Sequence, residues 1–446
     1  MRRFVPPWMA LVLLLAASTA ASAGQFILRA RTTADADTLC RRYGLIDVRL
    51  VHQQGPEEVC LVLANTQSAA EDSALRALVA ADPLTVSIET DTSLALAEST
   101  SAGPALAQST AAILEAFSRQ APVAYFGRQM PGGYVSQPAA GVIRLADAQQ
   151  LATGGGVVAI IDTGIDPGHP ALADVVVPGY DFVNDVGGVP TDFADLAQST
   201  AAILEQLSGA APNSVAILNQ STAAILEQAT SNMLNAAQLP AAFGHGTMVA
   251  GLVHLVAPTA SIMPLKAFRA DGNASMSDLV SAIYYAVDHG ATVINMSFTL
   301  AGPSQSLLDA ITYAASQRTL LVAAVGNGGS QMTTYPASWP GVIAVASTTL
   351  ADQRSVFSNY GRVDLSAPGE ALITAYPGNH YAAVWGTSFS TALVSGAAAL
   401  LQQWRPGLTE ANALKVLEQG ASVPSSLGKA RLDLHRALVY LFHELN

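Results

Sequence analysis

The chain has 446 residues, of which half are apolar and only 12% charged, and its formal net charge is -12. That length points to two domains, with ample material for buried cores. The acidic balance and the lack of any basic cluster argue against a nucleic-acid partner, whose phosphates demand Lys and Arg.

In chain order, the first feature is an export signal. Arg2 and Arg3 precede an apolar run from Met9 to Ala17, and Ala21-Ser22-Ala23 offers the small residues of a cleavage site. Residues 1–23 are therefore expected to be removed from a secreted or periplasmic protein. The run is shorter than the roughly 20 residues of a membrane helix, and no second one follows. No membrane association is expected after signal removal.

Residues 25 to 98 alternate strand-like and helical patterns: Gln25 to Ala30, helical Ala34 to Tyr43, Ile46 to His52, Glu58 to Leu63, helical Ala69 to Ala81, and Leu84 to Glu89. This βαββαβ order is ferredoxin-like. Both cysteines, Cys40 and Cys60, fall inside it, so no thiol serves chemistry further on. An oxidising compartment allows one bridge, but pairing needs Cα atoms within about 7 Å. Two buried thiols are the expectation.

Residues 99–137 are rich in Ala, Ser, Gly and Pro and read as a linker holding the processing bond. An octapeptide, Gln-Ser-Thr-Ala-Ala-Ile-Leu-Glu, occurs there at Gln108 to Glu115 and again at Gln198 to Glu205 and Gln220 to Glu227. Thr110, Ile113, Leu114 and Phe117 share one helical face. Helices this short are marginal in water, so a solvated insert is favoured over a flap across a cleft.

From Gly141 onward, apolar strands alternate with helices, the signature of a parallel sheet covered on both faces. Strands are expected over Val157 to Ile161, Ser261 to Ala267, Thr292 to Met296, Leu320 to Val325 and Val342 to Ala346. Helices are expected over His245 to His254, Ser277 to His289, Ser304 to Gln317, Ser388 to Gln403 and Thr409 to Gln419. Sites in such sheets gather at the carboxyl ends of strands.

Three separated stretches carry the parts of a nucleophilic device. Asp162 ends a strand in Ile161-Asp162-Thr163-Gly164, His245 lies in Gly244-His245-Gly246-Thr247, and Ser388 lies in Gly386-Thr387-Ser388. A serine hydroxyl needs an imidazole to take its proton, and that imidazole needs a carboxylate to fix its tautomer. Asp-Thr-Gly also marks aspartic peptidases, but those need two such aspartates, and a single one occurs here. Asp166 and Asp181 are expected to be structural. No histidine pair has zinc-helix spacing, so neither metal nor cofactor is expected.

The order Asp, His, Ser separates this chain from the chymotrypsin and α/β-hydrolase types. With Val256-Ala257-Pro258, Val293-Ile294-Asn295-Met296-Ser297, Ala323-Ala324-Val325-Gly326-Asn327, Phe357-Ser358-Asn359-Tyr360-Gly361 and Ser366-Ala367-Pro368-Gly369 in sequence, the chain resembles the subtilase family of serine peptidases. The resemblance implies an α/β, parallel-sheet catalytic domain over residues 138–446, with an insertion at about 191–238 because Asp162 and His245 are 83 positions apart. It implies a secreted serine endopeptidase acting on polypeptides through an acyl-enzyme on Ser388, with Asn327 in the oxyanion hole.

The resemblance also implies that residues 24–98 are an inhibitory propeptide, the enzyme's own intramolecular partner. Substrate is expected as an added strand along Gly272 to Ser275 and Ser297 to Gly302, touching Gly272, Ser275, Ser297, Phe298 and Gly326. Relatives carry paired glycines where this chain has Thr299-Leu300-Ala301-Gly302, so bulkier walls should narrow the pocket before the cleaved bond, unless the insertion there preserves it. After Ser388, Phe389-Ser390-Thr391-Ala392 replaces Met-Ala-Thr-Pro and should relax that turn. The short span from His245 to Val256 leaves no room for the calcium loop of many relatives. A non-catalytic exported binding protein on the same fold is the alternative, and the complete triad with Asn327 weighs against it.

Overall fold

The computed structural model describes residues 25–53, 60–65, 72–96, 117, 120–196 and 239–444. The expected export signal, all three octapeptide copies and residues 98–116 of the expected processing region lie outside the described residues. Two compact units divide between Thr92 and Ser93.

The first unit runs β1 (Gln25–Ala30), a helix Thr33–Tyr43, β2 (Ile46–Gln53), β3 (Cys60–Asn65), a helix Asp72–Ala81 and β4 (Thr85–Thr90). Its sheet has the order β2-β3-β1-β4, antiparallel at each contact. Thr32 caps the first helix by accepting from the Asp35 amide, and left-handed Gly44 ends it. Leu28 and Ala30 pack with Ala36, Leu39, Cys40 and Val79. Cys40 is a free, buried thiol, and burial pushes its pKa up.

The second unit opens with β5 (Ser93–Ala95) and a small hairpin, β6 (Val123–Tyr125) and β7 (Arg128–Met130). Its main sheet uses β8 (Val157–Asp162), β9 (Gly179–Asp181), β10 (Val186–Gly188), β11 (Ser261–Lys266), β13 (Val293–Met296), β14 (Leu320–Ala324), β15 (Val342–Thr348), β16 (Leu365–Pro368) and β19 (Ala430–Arg431). Among the described residues these nine strands lie in the order β10-β9-β11-β8-β13-β14-β15-β16-β19. Only the β9 and β10 pair is antiparallel. The remaining strands are β12 (Asn273–Ser275) and the hairpin β17 (Leu372–Tyr376) with β18 (His380–Val384).

The continuous apolar runs of β8, β14 and β15 suit strands buried on both faces. Helices Met276–Asp288 and Gln305–Ser316 begin where Ser275 and Ser304 hydroxyls accept amides three residues on, so each serine caps its helix from just outside. No helix among the described residues is long and apolar enough to cross a membrane.

Helices His245–Val256 and Thr387–Trp404 pack directly on each other, and one residue sets their separation. A Cβ on Gly396 would sit 2.6 Å from Val256 Cβ and 3.1 Å from Val253 O. Gly396→Val should therefore pry apart the two helices that carry His245 and Ser388. The expected loss is about 1–3 kcal/mol of stability, read as a lower melting temperature with reduced turnover. Wild-type melting would show that the contact gives freely.

Candidate functional site

Asp162 is the last residue of β8 and His245 the first of its helix, and both are almost completely buried. His245 Nδ1 stands 2.8 Å from each Asp162 carboxylate oxygen. A carboxylate only accepts, so Nδ1 carries the proton and Nε2 is the basic nitrogen of the neutral ring. The Thr163 amide donates to Asp162 Oδ1 at 2.8 Å, which fixes the carboxylate from the other side. Gly246 is required here because any Cβ would fall 1.9 Å from the Gly164 carbonyl oxygen.

Ser388 is the second residue of the 18-residue helix Thr387–Trp404. Its position puts helix N-terminal amides and the positive end of the dipole beside the hydroxyl. Ser388 Oγ donates to the Ser297 carbonyl at 3.2 Å, and Ser297 Oγ donates back to the Ser388 carbonyl at 3.1 Å. The hydroxyl is thus turned to Ser297, and its proton must be redirected to His245 Nε2 for transfer.

Asn327 follows β14, and its Oδ1 accepts both the Thr387 amide and the Thr387 hydroxyl at 2.9 Å. Those two bonds fix the carboxamide with its NH₂ end toward Gly386, 3.5 Å from where a Cβ there would lie. Thr387 Oγ1 also accepts from the Gly326 amide at 3.2 Å. The sequence shows Thr387 only as a spacer in Gly-Thr-Ser, and its tie to Asn327 appears in three dimensions alone. Ser390, which departs from the family pattern, donates to the carbonyls of Ala367 at 3.0 Å and Pro368 at 3.1 Å. Asp166 accepts from the amides of Gly168 and Gly378, and Asp181 from Asn184, as structural residues do.

A second carboxylate supports the pair from behind. Asp192 is buried and accepts from the hydroxyls of Thr163, at 2.7 Å, and Thr247. Each hydroxyl also accepts a backbone amide: Thr163 Oγ1 from Gly246 N at 3.0 Å, Thr247 Oγ1 from Asp166 N at 2.7 Å. Both oxygens of Asp192 accept in this arrangement, the pattern of the ionised form. Lys266, fully buried, donates to the carbonyls of Thr163 at 2.6 Å and Phe268 at 3.1 Å and pairs with Asp195 at 2.9 Å. Thr191–Leu196, assigned from sequence to the insertion, is thus part of the site's foundation.

Where substrate was expected, the chain's own β5 lies along β12, pairing Ser93 with Ser275, Leu94 with Ala274 and Ala95 with Asn273. The Leu96 amide continues the ladder to Gly272 O at 2.8 Å. Ser275 caps a helix, and Ser297 and Gly326 border Ser388 and Asn327. The ring of Phe298 packs against Phe268 at 5.4 Å, and the residue is 3% exposed.

The sequence model described as the Subtilase family matches residues 153–435. The chain belongs to the subtilase family. It is 34% identical over 289 residues to a thermophilic serine proteinase of Bacillus sp. strain AK1, spanning 64% of this chain and 61% of that one. It is 32% identical over 314 residues to thermitase of Thermoactinomyces vulgaris, spanning 67% and 94%. A solved protease structure from Pseudoalteromonas arctica aligns at a TM-score of 0.52 with 28% identity, covering 67% and 93%. As a subtilase, the chain is a serine endopeptidase.

Burial pushes the Asp192 carboxyl up to about 6, against the pull of Thr247, Thr163 and Lys266. A folded pKa above the ordinary carboxylate value means the native state holds this proton more tightly than the unfolded chain. Its contribution to stability therefore rises as pH falls from about 6 toward 4, by about 3 kcal/mol in all. Asp192→Asn should remove that rise, so that the stability gap between the two proteins widens in favour of wild type across this window. Because an amide cannot accept at both ends, the variant should also lose about tenfold in kcat/KM. Urea melts at pH 7 and 4 together with turnover at pH 8 test both parts, and parallel curves with equal turnover would refute the role.

Proposed function

We propose that this subtilase is exported as a zymogen and cuts polypeptides through an acyl-enzyme on Ser388. The buried hydrogen bond between Asp162 and His245 carries the reading. In the proposed cycle, Ser388 Oγ gives its proton to His245 Nε2 as it attacks the peptide carbonyl. The Ser388 amide and the Asn327 carboxamide donate to the oxyanion, His245 returns the proton to the leaving amine, and water then releases the acyl group by the same steps. Asp162 stays ionised, holding the ring's tautomer and its transient positive charge.

Residues 24–98 act as the propeptide, 99–137 as the linker and 138–446 as the catalytic domain. The strand Ser93–Ala95 on β12 supports this, because main-chain pairing to a strand edge is how a peptide docks irrespective of side chains. Export follows from the N-terminal signal pattern.

A fluorophosphonate probe should label the processed wild type and not Ser388→Ala, and the alanine variant should keep its full-length N-terminal region when the wild type loses it. Labelling that survives in Ser388→Ala would reassign the nucleophile. Asn327→Leu should lower kcat by about 10²–10³-fold, the loss known for the corresponding donor in subtilisin, with a stability cost of about 1–3 kcal/mol from the Thr387 donors left without their acceptor. A kcat within about tenfold of wild type, with the stability loss alone, would mark Asn327 as structural.

A further inference from the structure

The wall of the cleft beside Ser388 departs from an open slot at one side chain. Segments leaving the neighbouring parallel strands β13 and β14, whose Met296 and Ala323 are partners, run on either side of the gap next to the nucleophile. One segment is Ser297 to Leu300, anchored at Ser388 through Ser297. The other is Val325 to Asn327, whose Gly326 turns with φ 97°. A side chain attached to the carbon under attack has this gap to enter, since its carbonyl oxygen is directed to Asn327.

Thr299 stands in that gap. Its Cγ2 and Oγ1 lie 3.3 Å and 3.5 Å from the point where a Cβ on Gly326 would be. A carbon layer between two walls needs a contact of about 3.5–4 Å on each face, so the walls must part by roughly twice that before a ring or a branched chain can enter. Since that point lies one bond beyond the Gly326 Cα, the Thr299 tip is within about 5 Å of the opposite wall, short of that separation. The wall is also pinned on both sides of Thr299. Leu300 exchanges two backbone bonds with Tyr335, at 2.7 Å and 3.0 Å, and the Phe298 ring is locked against Phe268.

A second, independent observation agrees. The docked strand reaches Leu96, whose Cβ lies 3.6 Å from the outward direction of Gly272, with Ala242 Cβ 3.4 Å from the same point. The Ala242 carbonyl accepts the His245 amide, so Leu96 is beside the turn that carries the base. The sequence continues with Ala97 and Glu98, a small residue and then a charged one.

We propose that Thr299 closes the pocket for the side chain preceding the cleaved bond, so that this subtilase cuts after alanine, serine or glycine and its own processing bond is Ala97–Glu98, just ahead of the 99–137 linker where the sequence alone puts it. The inference rests on Ser388 being the nucleophile, and the test separates the two. Processed wild type is assayed on paired peptide substrates that differ only in Ala or Phe before the scissile bond, with fluorophosphonate labelling alongside. The alanine peptide should be favoured in kcat/KM by about 10–200-fold, the range a pocket of this kind can impose. Thr299→Gly should shift the ratio of kcat/KM for the Phe peptide over the Ala peptide toward Phe by about tenfold or more, and Thr299→Val, of like shape, should keep the wild-type ratio. The mature N-terminus should begin at Glu98.

A labelled wild type that cuts after Phe as fast as after Ala overturns the inference and leaves the nucleophile standing, and so does an unchanged ratio in Thr299→Gly. An unlabelled, inactive wild type overturns both. Should the glycine variant not fold, the wild-type ratio and the N-terminal residue decide alone.

Discussion

The structure turns on one buried hydrogen bond, from His245 to Asp162. Two polar side chains taken out of water must satisfy each other, and an unpaired member would cost more than the bond itself is worth. Their positions follow from the backbone. β8 delivers Asp162 at the carboxyl end of a central strand, and a helix starting at His245 delivers the imidazole to the same level. Neither can move without shifting the sheet or the helix packed on it. That rigidity gives a proton acceptor a fixed direction before substrate arrives, which is the part of catalysis a scaffold can supply in advance.

Asp192 extends the constraint by one shell. Its carboxylate ties Thr163, the neighbour of Asp162, to Thr247, two residues beyond His245. The strand end and the helix start are thus sewn together through side chains as well as through the pair itself. Thr387 does the same for Asn327, joining the segment after β14 to the start of the serine helix. In both cases a hydroxyl that donates to a side chain also accepts a backbone amide, so each one links main chain to side chain.

Much of this was legible in the sequence because the parts announce themselves locally. Ile161-Asp162-Thr163-Gly164 reads as a strand end, Gly244-His245-Gly246 as a close approach, and the alternation after Gly141 as a parallel sheet. The ferredoxin-like order of the first unit was equally plain from its rhythm. Helix starts near Ser277 and Ser304 came out a residue off because Ser275 and Ser304 cap from outside the helix. Asp192, Lys266 and Thr387 were not legible. Each acts on a residue far away in sequence, and Asp192 stands in a stretch whose spacing marks it only as inserted. Phe298 shows the converse: its motif places it at the cleft, but which way its ring turns depends on Phe268, and no local pattern encodes that.

The same tertiary pinning explains how the chain tolerates the long stretch 197–238 between its acid and its base. The cost of closing a chain between two fixed ends grows only with the logarithm of its length, about 0.6 kcal/mol per doubling. What matters is that the ends are fixed. On one side Asp195 accepts the Ala270 amide at 2.7 Å and pairs with buried Lys266, while on the other the Ala242 amide bonds Ala270 O at 2.8 Å. Phe193 and Phe243, one from each side, meet at 5.8 Å. The two roots therefore converge on one short stretch around Ala270, and His245 lies only two residues past Phe243. Length added beyond the roots works against this clamp, not against the pair of side chains behind it, so the octapeptide copies can multiply there while the distance from Nδ1 to the carboxylate stays set by β8 and its helix.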